Sequence, residues 1–257
     1  MDAMTDVDYL VVHAAFNAER RERIGHLGYW LGADRERFRI VKDTEGVGVW
    51  RATRAAWMAG LESDAEYLCV LQDDAVPCRN FSATVEAQIE AVGGRPLTMF
   101  LLRPQARRWP GIEQARWINL SSASGVATVL HRDTATAWLD WSATFDAERK
   151  AAGQEVWPHM DDARLSMFLM TRGEPFWTHR VSAVDHSDSA TTCPGVSGRG
   201  LEEAERVAYQ WAEDGAAVDW AEGVSDPMQR TMRPGAFVRT LNSLGPVAQG
   251  RLGWASK

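Results

Sequence analysis

The chain of 257 residues is 45% apolar and 25% charged, a balance typical of globular proteins that form one large domain or two small ones. Its 21 Gly, 10 Pro and 3 Cys exclude a collagen-like, disordered or disulfide-scaffold chain. The formal net charge of −7, from 28 Lys and Arg against 35 Asp and Glu, argues at first against a nucleic-acid or anionic-membrane partner.

The N-terminus and the cysteines predict a cytoplasmic location. The first residues are acidic ahead of a short apolar run, which is unlike a secretory signal. No apolar stretch approaches the roughly 18 residues of a membrane span, so no membrane partner is expected. Cys69, Cys78 and Cys193 match no zinc spacing, and we expect reduced, buried thiols.

Strands and helices alternate through the first hundred residues. Short apolar runs predict buried strands at 9–13, 38–42, 67–71 and 97–102. Amphipathic spacing predicts three helices between them: one after an Asn17 cap, one over 47–61, and one capped by Asn80 or Ser82. This alternation predicts an α/β fold with a mostly parallel sheet flanked by helices.

The second half is less regular. We expect a loop over 103–116, a strand over 125–130, helices over 133–141 and 162–170, and short strands within 176–184. A Ser-, Thr- and Gly-rich loop follows over 187–200. The spacing of Ala204, Val207, Ala208, Trp211 and Ala212 predicts an amphipathic helix over 201–222, ahead of an aperiodic tail.

Two adjacent acids, Asp73 and Asp74, directly follow the third predicted strand. Ligands of open parallel sheets bind beyond the carboxyl ends of the strands. Two neighbouring carboxylates repel each other there unless a cation or a hydroxyl-rich ligand compensates them. Because hard divalent ions combine one or two carboxylates with substrate phosphates, the pair indicates a metal–diphosphate site. The alternative is a polar turn leading into Pro77.

Strand–Asp73–Asp74–Ala75 followed by the Asn80–Phe81 helix start resembles the acidic metal motif of GT-A (Rossmann-like) glycosyltransferases. These enzymes move a sugar from a nucleoside diphosphate to an acceptor hydroxyl. The resemblance implies that Asp74 binds Mn²⁺ or Mg²⁺, and that Asp73 binds the metal or the donor ribose. Gln72 stands where the family usually has a third acid, which is a departure from the pattern.

Two later segments extend the resemblance. Asp161–Asp162–Ala163–Arg164–Leu165 is similar to the Glu-Asp-x-x-Leu signature of inverting members, which implies Asp162 as the base and Asp161 as its catalytic neighbour. The alternative is that acids favour the first turn of a helix. His186, ahead of Ser187 and Ser189, is similar to the late histidine that serves as a third metal ligand. Its alternative is a satisfied polar histidine in a loop.

The same resemblance implies the donor-binding residues. The ends of the first two strands, His13–Ala14 and Asp43, would hold the nucleotide base, and Arg51 or Arg54 would contact the nucleotide. Gly125 would let the backbone approach the donor sugar. A UDP-sugar is the expected donor. The resemblance covers about residues 8–190, and the predicted organisation is a GT-A catalytic domain over 1–195, with a C-terminal helix and basic tail over 196–257 packed on it.

The charge is unevenly distributed, which bears on the acceptor. Residues 201–222 hold seven acids and one base, whereas 103–117 and 223–257 are locally basic. Trp109, Trp117 and Trp157 are predicted on this acceptor side, while Trp57 and Trp211 are predicted in the core. The net charge therefore does not exclude nucleic acid. The acceptor is predicted to be a glycan or small molecule, or a hydroxymethylated pyrimidine of phage DNA.

Two other function classes remain open. A carboxylate-pair glycosidase would use one acid from each pair and would need neither a nucleotide donor nor a metal. A non-catalytic module that binds a sugar or nucleotide would use the tryptophans for stacking, and Asp162 would be dispensable for it.

Overall fold

A computed structural model of the protein describes residues 5–31, 36–122, 124–153, 161–187 and 207–233. The described chain contains the strands β1 Val7–Ala14, β2 Phe38–Asp43, β3 Tyr67–Gln72, β4 Ala75–Pro77, β5 Leu97–Thr98, β6 Trp117–Leu120, β7 Ala127–His131, β8 Phe176–His179, β9 Val181–Ser182, β10 Val184–His186, β11 Gln210–Trp211 and β12 Met228–Arg230. Its helices are α1 Ala18–Leu31, α2 Val49–Leu61, α3 Phe81–Val92, α4 Arg103–Ala106, α5 Arg132–Ala151 and α6 Asp161–Arg172.

The main sheet has eight strands in the order β12-β6-β8-β5-β7-β3-β1-β2. Strand β1 pairs in parallel with both β2 and β3, as the βαβ alternation predicts. Beyond β3 the sheet is mixed, because β7 is antiparallel to both β3 and β5, and β6 is antiparallel to β8. Two short two-stranded sheets, β10-β4 and β11-β9, lie beside it.

Helices cover both faces of the sheet, so the fold is α/β in three layers. In β1, Tyr9 and Val11 belong to one hydrophobic cluster, while Leu10 and Val12 belong to the other. Helices α1 and α3 contribute to the first cluster, and α2, α5 and α6 contribute to the second. Because both faces of β1 are covered, its sequence is a continuous apolar run rather than an alternating one.

The predicted helix over 201–222 is wrong for the described residues 207–222. There the chain forms β11, which pairs with β9, and a 3-10 turn at Gly215–Ala217. Ala208, Ala212 and Trp220 are buried in the first hydrophobic cluster. The helical spacing of the apolar residues therefore reflects separate contacts of an irregular segment with the core. Residues 201–206 lie outside the described part.

Other expectations need smaller corrections. The strand predicted over 97–102 is shorter and covers Leu97–Thr98. The loop predicted over 103–116 begins with the one-turn helix α4. Asn80 starts α3 with φ 58 and makes no side-chain cap; its amide instead donates to Asp214 at 2.8 Å. Trp117 is fully buried and donates to the Trp220 carbonyl, so it is not available for stacking on an acceptor. Trp57 is buried, as predicted.

Gly215 lies where the 207–222 segment packs closely against α3. A Cβ at this position would collide with Thr84 Oγ1 and would lie 2.9 Å from Thr84 Cβ and 3.1 Å from Cys78 Sγ. Gly215→Ala should therefore destabilise the fold by about 1–3 kcal/mol, which lowers the melting temperature by about 2–12 °C. Differential scanning calorimetry measures the change.

Gly25→Ala is the matched control, because a Cβ at Gly25 in α1 meets nothing within 4 Å. Removing a helical glycine there should leave the melting temperature unchanged or raise it slightly. Equal melting temperatures for Gly215→Ala and Gly25→Ala would contradict the packing of Gly215 against α3.

Candidate functional site

The carboxyl ends of β1 and β3 meet through Asp73. Its Oδ2 lies 2.8 Å from His13 Nδ1 and accepts a hydrogen bond from the Ala14 backbone N at 2.9 Å. The backbone N of Asp73 donates to the Val12 carbonyl at 3.1 Å. His13 is 3% exposed and Asp73 5% exposed, so the contact is shielded from solvent. Three residues predicted in this site, His13, Ala14 and Asp73, are therefore adjacent.

Asp74 is joined to His186 by strand pairing. Strand β10 runs antiparallel to β4, which places His186 opposite Ala75. His186 Nε2 lies 3.1 Å from Asp74 Oδ2, and the Ser187 N donates to the Asp74 carbonyl at 2.9 Å. The structure thus brings together the aspartate and the late histidine that the family resemblance pairs.

An arginine that sequence reasoning missed lies between the two aspartates. Arg20 Nη1 is 2.8 Å from Asp73 Oδ1 and 2.8 Å from Asp74 Oδ2. The side chain is 5% exposed. The sequence does contain a signal for this arginine. Arg20 precedes Ile24, Leu27 and Leu31 at helical spacing, so it lies on the apolar face of α1. A charged residue on that face has to meet a buried partner.

The second acidic pair begins α6 and packs against α2. Asp161 is 7% exposed, and its Oδ2 accepts a hydrogen bond from Thr53 Oγ1 at 3.0 Å. Asp162 is half-buried, and its Oδ1 accepts the Ala163 N at 2.7 Å. Of the two carboxylates, that of Asp162 is therefore the more accessible.

Gly125 and Gln72 connect the two acidic pairs. A Cβ on Gly125 would lie 3.2 Å from Asp161 Oδ2, 3.3 Å from Gln72 Nε2 and 3.5 Å from Asp162 Cβ. Gln72 directly precedes Asp73, and its backbone N donates to the Val126 carbonyl at 2.9 Å. Both acidic pairs therefore lie around the carboxyl end of β3, and the absence of a side chain at Gly125 lets Gln72 and the second pair pack closely against it.

The two pairs have opposite electrostatic environments. Burial alone would raise the pKa of Asp74, but the hydrogen bond and charge of His186, together with Arg20, hold that pKa well below its ordinary value. Burial raises the pKa of Asp161, and the hydrogen bond from Thr53 offsets this only in part. Asp74 therefore stays ionised at neutral pH, whereas Asp161 holds its proton more tightly than an exposed aspartate.

Of the other predicted donor-binding residues, Asp43 is the register partner of Ala14 and therefore lies beside this cluster, while Arg51 and Arg54 are on α2. Asp43 ends β2, and its Oδ1 accepts the backbone N of Glu45, Gly46 and Val47 at 3.1, 2.8 and 3.2 Å. It thereby holds the loop ahead of α2. Arg51 is exposed and Arg54 half-buried on α2, and neither side chain forms a hydrogen bond or ion pair with the described residues.

The residues predicted as metal ligands do not fit a divalent ion as they stand. Both Asp73 oxygens and Asp74 Oδ2 already have partners, and Asp74 Oδ1 is the one carboxylate oxygen of this pair that is buried without one. Within the described ranges, no group of three or more His, Cys, Asp and Glu is arranged to hold a metal ion. The positive charge between the carboxylates is that of Arg20.

The two basic segments are in contact where both are described. Strand β12 extends the sheet beside β6, and Arg230 Nη2 donates to the Pro110 carbonyl at 3.0 Å. The Arg230 guanidinium lies 5.7 Å from the ring centroid of Trp109. Arg107 and Arg108 are exposed in the same loop. Residues 234–257 and Trp157 lie outside the described part.

No model of a known protein family matches the chain, and no curated protein matches it. Among the helices that the structure describes, none has the length and apolar character needed to cross a membrane.

The lowered pKa of Asp74 makes stability depend on pH in a defined direction. A carboxyl whose pKa is lower in the folded state stabilises the fold above its unfolded value of about 4, and this contribution is lost as the pH falls below that value. Asp74→Asn should reduce the free energy of unfolding by about 1–3 kcal/mol at pH 7, with the difference shrinking toward pH 3.

Urea unfolding at pH 7, 5 and 3 measures this difference. Asp140→Asn is the control, because Asp140 is exposed on α5 and should change stability little at any of these pH values. A difference between the wild type and Asp74→Asn that grows toward pH 3 would contradict the assignment.

Proposed function

We propose that the protein is an inverting glycosyltransferase that moves a hexose from a nucleoside diphosphate sugar to an acceptor hydroxyl. One observation carries the proposal: two acidic pairs, far apart in the sequence, meet around Gln72 and Gly125 at the carboxyl end of β3. Ligands of α/β sheets bind at this edge. Gly125, which has no side chain, is the point where the backbone would approach the donor sugar beside Asp161 and Asp162.

The proposed donor site is the edge formed by β1 and β3. His13 and Asp73 form its buried floor, and the half-buried Ala14 lies beside them. UDP remains the expected nucleotide. No step below depends on a divalent ion.

The proposed reaction needs one proton acceptor opposite the leaving group. Asp162 takes the proton of the acceptor hydroxyl as the oxygen attacks the anomeric carbon of the donor. The bond from that carbon to the diphosphate oxygen breaks, and its electron pair leaves with the diphosphate. The new glycosidic bond has inverted configuration. Asp162 suits this role because it is more accessible than Asp161.

The proposed acceptor is either a glycan or small molecule, or a hydroxymethylated pyrimidine in DNA. The contact of Arg230 with Pro110 and Trp109 supports a polyanion, because it joins the two basic segments at one surface that also exposes Arg107 and Arg108. If the acceptor is DNA, its binding should weaken steeply with salt, whereas binding of a neutral glycan should not.

A panel of nucleotide sugars, with and without Mn²⁺, tests the proposal. Release of the nucleoside diphosphate is measured first without an acceptor, then with a glycan array and with hydroxymethylated DNA. We expect one donor to be consumed and one acceptor class to become glycosylated with inverted configuration.

Two outcomes would replace the proposal. Hydrolysis of a glycoside without any nucleotide donor would indicate the carboxylate-pair glycosidase. Donor binding without turnover, unchanged by Asp162→Asn, would indicate a non-catalytic sugar- or nucleotide-binding module.

A further inference from the structure

The cation that the acidic pair requires is already present in the chain. Two adjacent buried carboxylates repel each other, and this repulsion is the reason to expect a metal ion beside Asp73 and Asp74. Arg20 Nη1 contacts one oxygen of each carboxylate at 2.8 Å. A guanidinium keeps its charge at every working pH and presents several donors in a fixed plane, so it compensates both carboxylates at once.

The remaining oxygens leave little room for a metal coordination sphere. Asp73 Oδ2 is bound by His13 and the Ala14 N, and Asp74 Oδ2 is shared between Arg20 and His186. Asp74 Oδ1 is then the one oxygen of this pair without a partner. A divalent ion would have to displace a buried guanidinium and would repel it from the same carboxylates.

We propose that Arg20 is the resident cation of this site and takes the place of a divalent metal ion. The assignment of Arg20 also changes how the site would recognise the donor. This part of the argument rests on the proposed function. Asp73 and Asp74 repel the diphosphate of the donor, so the diphosphate is expected to lie away from them rather than against a metal ion beside them. Donor binding therefore does not require Mn²⁺.

Removing Arg20 should convert the cluster into a metal site. Arg20→Met frees Asp73 Oδ1 and leaves Asp74 and His186 beside it, which is a donor set suited to Mn²⁺. Arg23→Met is the matched control, because Arg23 is on the same helix and its ion pair among the described residues is with the exposed Glu19, at 3.4 Å. Arg20→Met/Asp74→Asn removes the ligand that the new site needs.

Isothermal titration with Mn²⁺ alone tests this. We expect no saturable Mn²⁺ binding to the wild type or to Arg23→Met. Arg20→Met should bind Mn²⁺ saturably, with an affinity at least tenfold above the detection limit set by the wild type. Arg20→Met/Asp74→Asn should lose that binding. Saturable Mn²⁺ binding to the wild type that Asp74→Asn abolishes would overturn the proposal. This wild-type comparison decides the question even if Arg20→Met does not fold.

Donor binding is measured separately, by titrating UDP-glucose and the other nucleotide sugars into wild-type protein in EDTA and in Mn²⁺. Equal affinity in both supports the proposal, and affinity that appears only in Mn²⁺ overturns it. If no nucleotide sugar binds in either buffer, the proposed function fails, while the Mn²⁺ titration still decides the role of Arg20.

Discussion

Asp162→Asn is expected to lower kcat for sugar transfer by at least about 100-fold while leaving the affinity for the nucleotide sugar unchanged. An amide is nearly isosteric with the carboxylate, but it cannot take the proton from the acceptor hydroxyl. The loss therefore falls on the chemical step. Steady-state kinetics on the acceptor that the panel identifies, with donor affinity from calorimetry, separates the two effects.

Two variants sharpen this result. Asp133→Asn changes an exposed aspartate in the first turn of α5 and should retain full activity, which shows that losing an acid from a helix start is not enough. Asp161→Asn should reduce activity less than Asp162→Asn, because Asp161 is buried and bonded to Thr53. Normal turnover by Asp162→Asn would exclude it as the base.

The two acidic pairs lie in different electrostatic environments, which would suit them to different roles. Asp74 is held ionised by His186 and Arg20, while burial raises the pKa of Asp161 beside the proposed base. Titratable groups whose surroundings push their pKa values apart are typical of sites that separate binding from proton transfer. The site therefore has an ionised carboxylate, Asp74, on one side of Gln72 and a carboxyl with a raised pKa, Asp161, on the other.

Much of the fold was predictable because the first half has strong local signals. The continuous apolar runs of β1 and β3 and the spacing of Leu27 and Leu31 lead directly to the parallel part of the sheet. The antiparallel part was not predictable in the same way. Strand β6 is short and buried, and its partners β8 and β12 are distant in the sequence, so no local period reveals the pairing.

The candidate site, like the fold, was predictable only where the sequence carries a local signal. Asp73 and Asp74 were predicted as site residues from their position after a buried strand, and Gly125 and His186 from the family resemblance; the structure places Asp74 beside His186, and Gly125 beside Asp161. Which group compensates the two adjacent acids depends on tertiary contacts. Arg20 belongs to α1, and only the packing of that helix against β1 and β4 brings its guanidinium to the acids.

Arg20→Met is expected to destabilise the fold by about 3–5 kcal/mol, because it leaves two buried carboxylates without their cation. For a chain of this size, the melting temperature should fall by about 6–20 °C. Urea unfolding and calorimetry at pH 7 measure the loss. The effect is large because the Arg20 side chain is 5% exposed and bonds to both acids.

The origin of this loss can be separated from a simple loss of packing. Arg23→Met, which removes an exposed pair on the same helix, should cost no more than about 0.5 kcal/mol. Arg20→Met/Asp74→Asn should recover part of the stability, since one uncompensated charge is removed along with the arginine. If the double variant is as unstable as the sum of the two single variants, the loss comes from packing of the arginine stem instead. Because a divalent ion would replace the missing charge, Mn²⁺ should raise the melting temperature of Arg20→Met and leave that of the wild type unchanged.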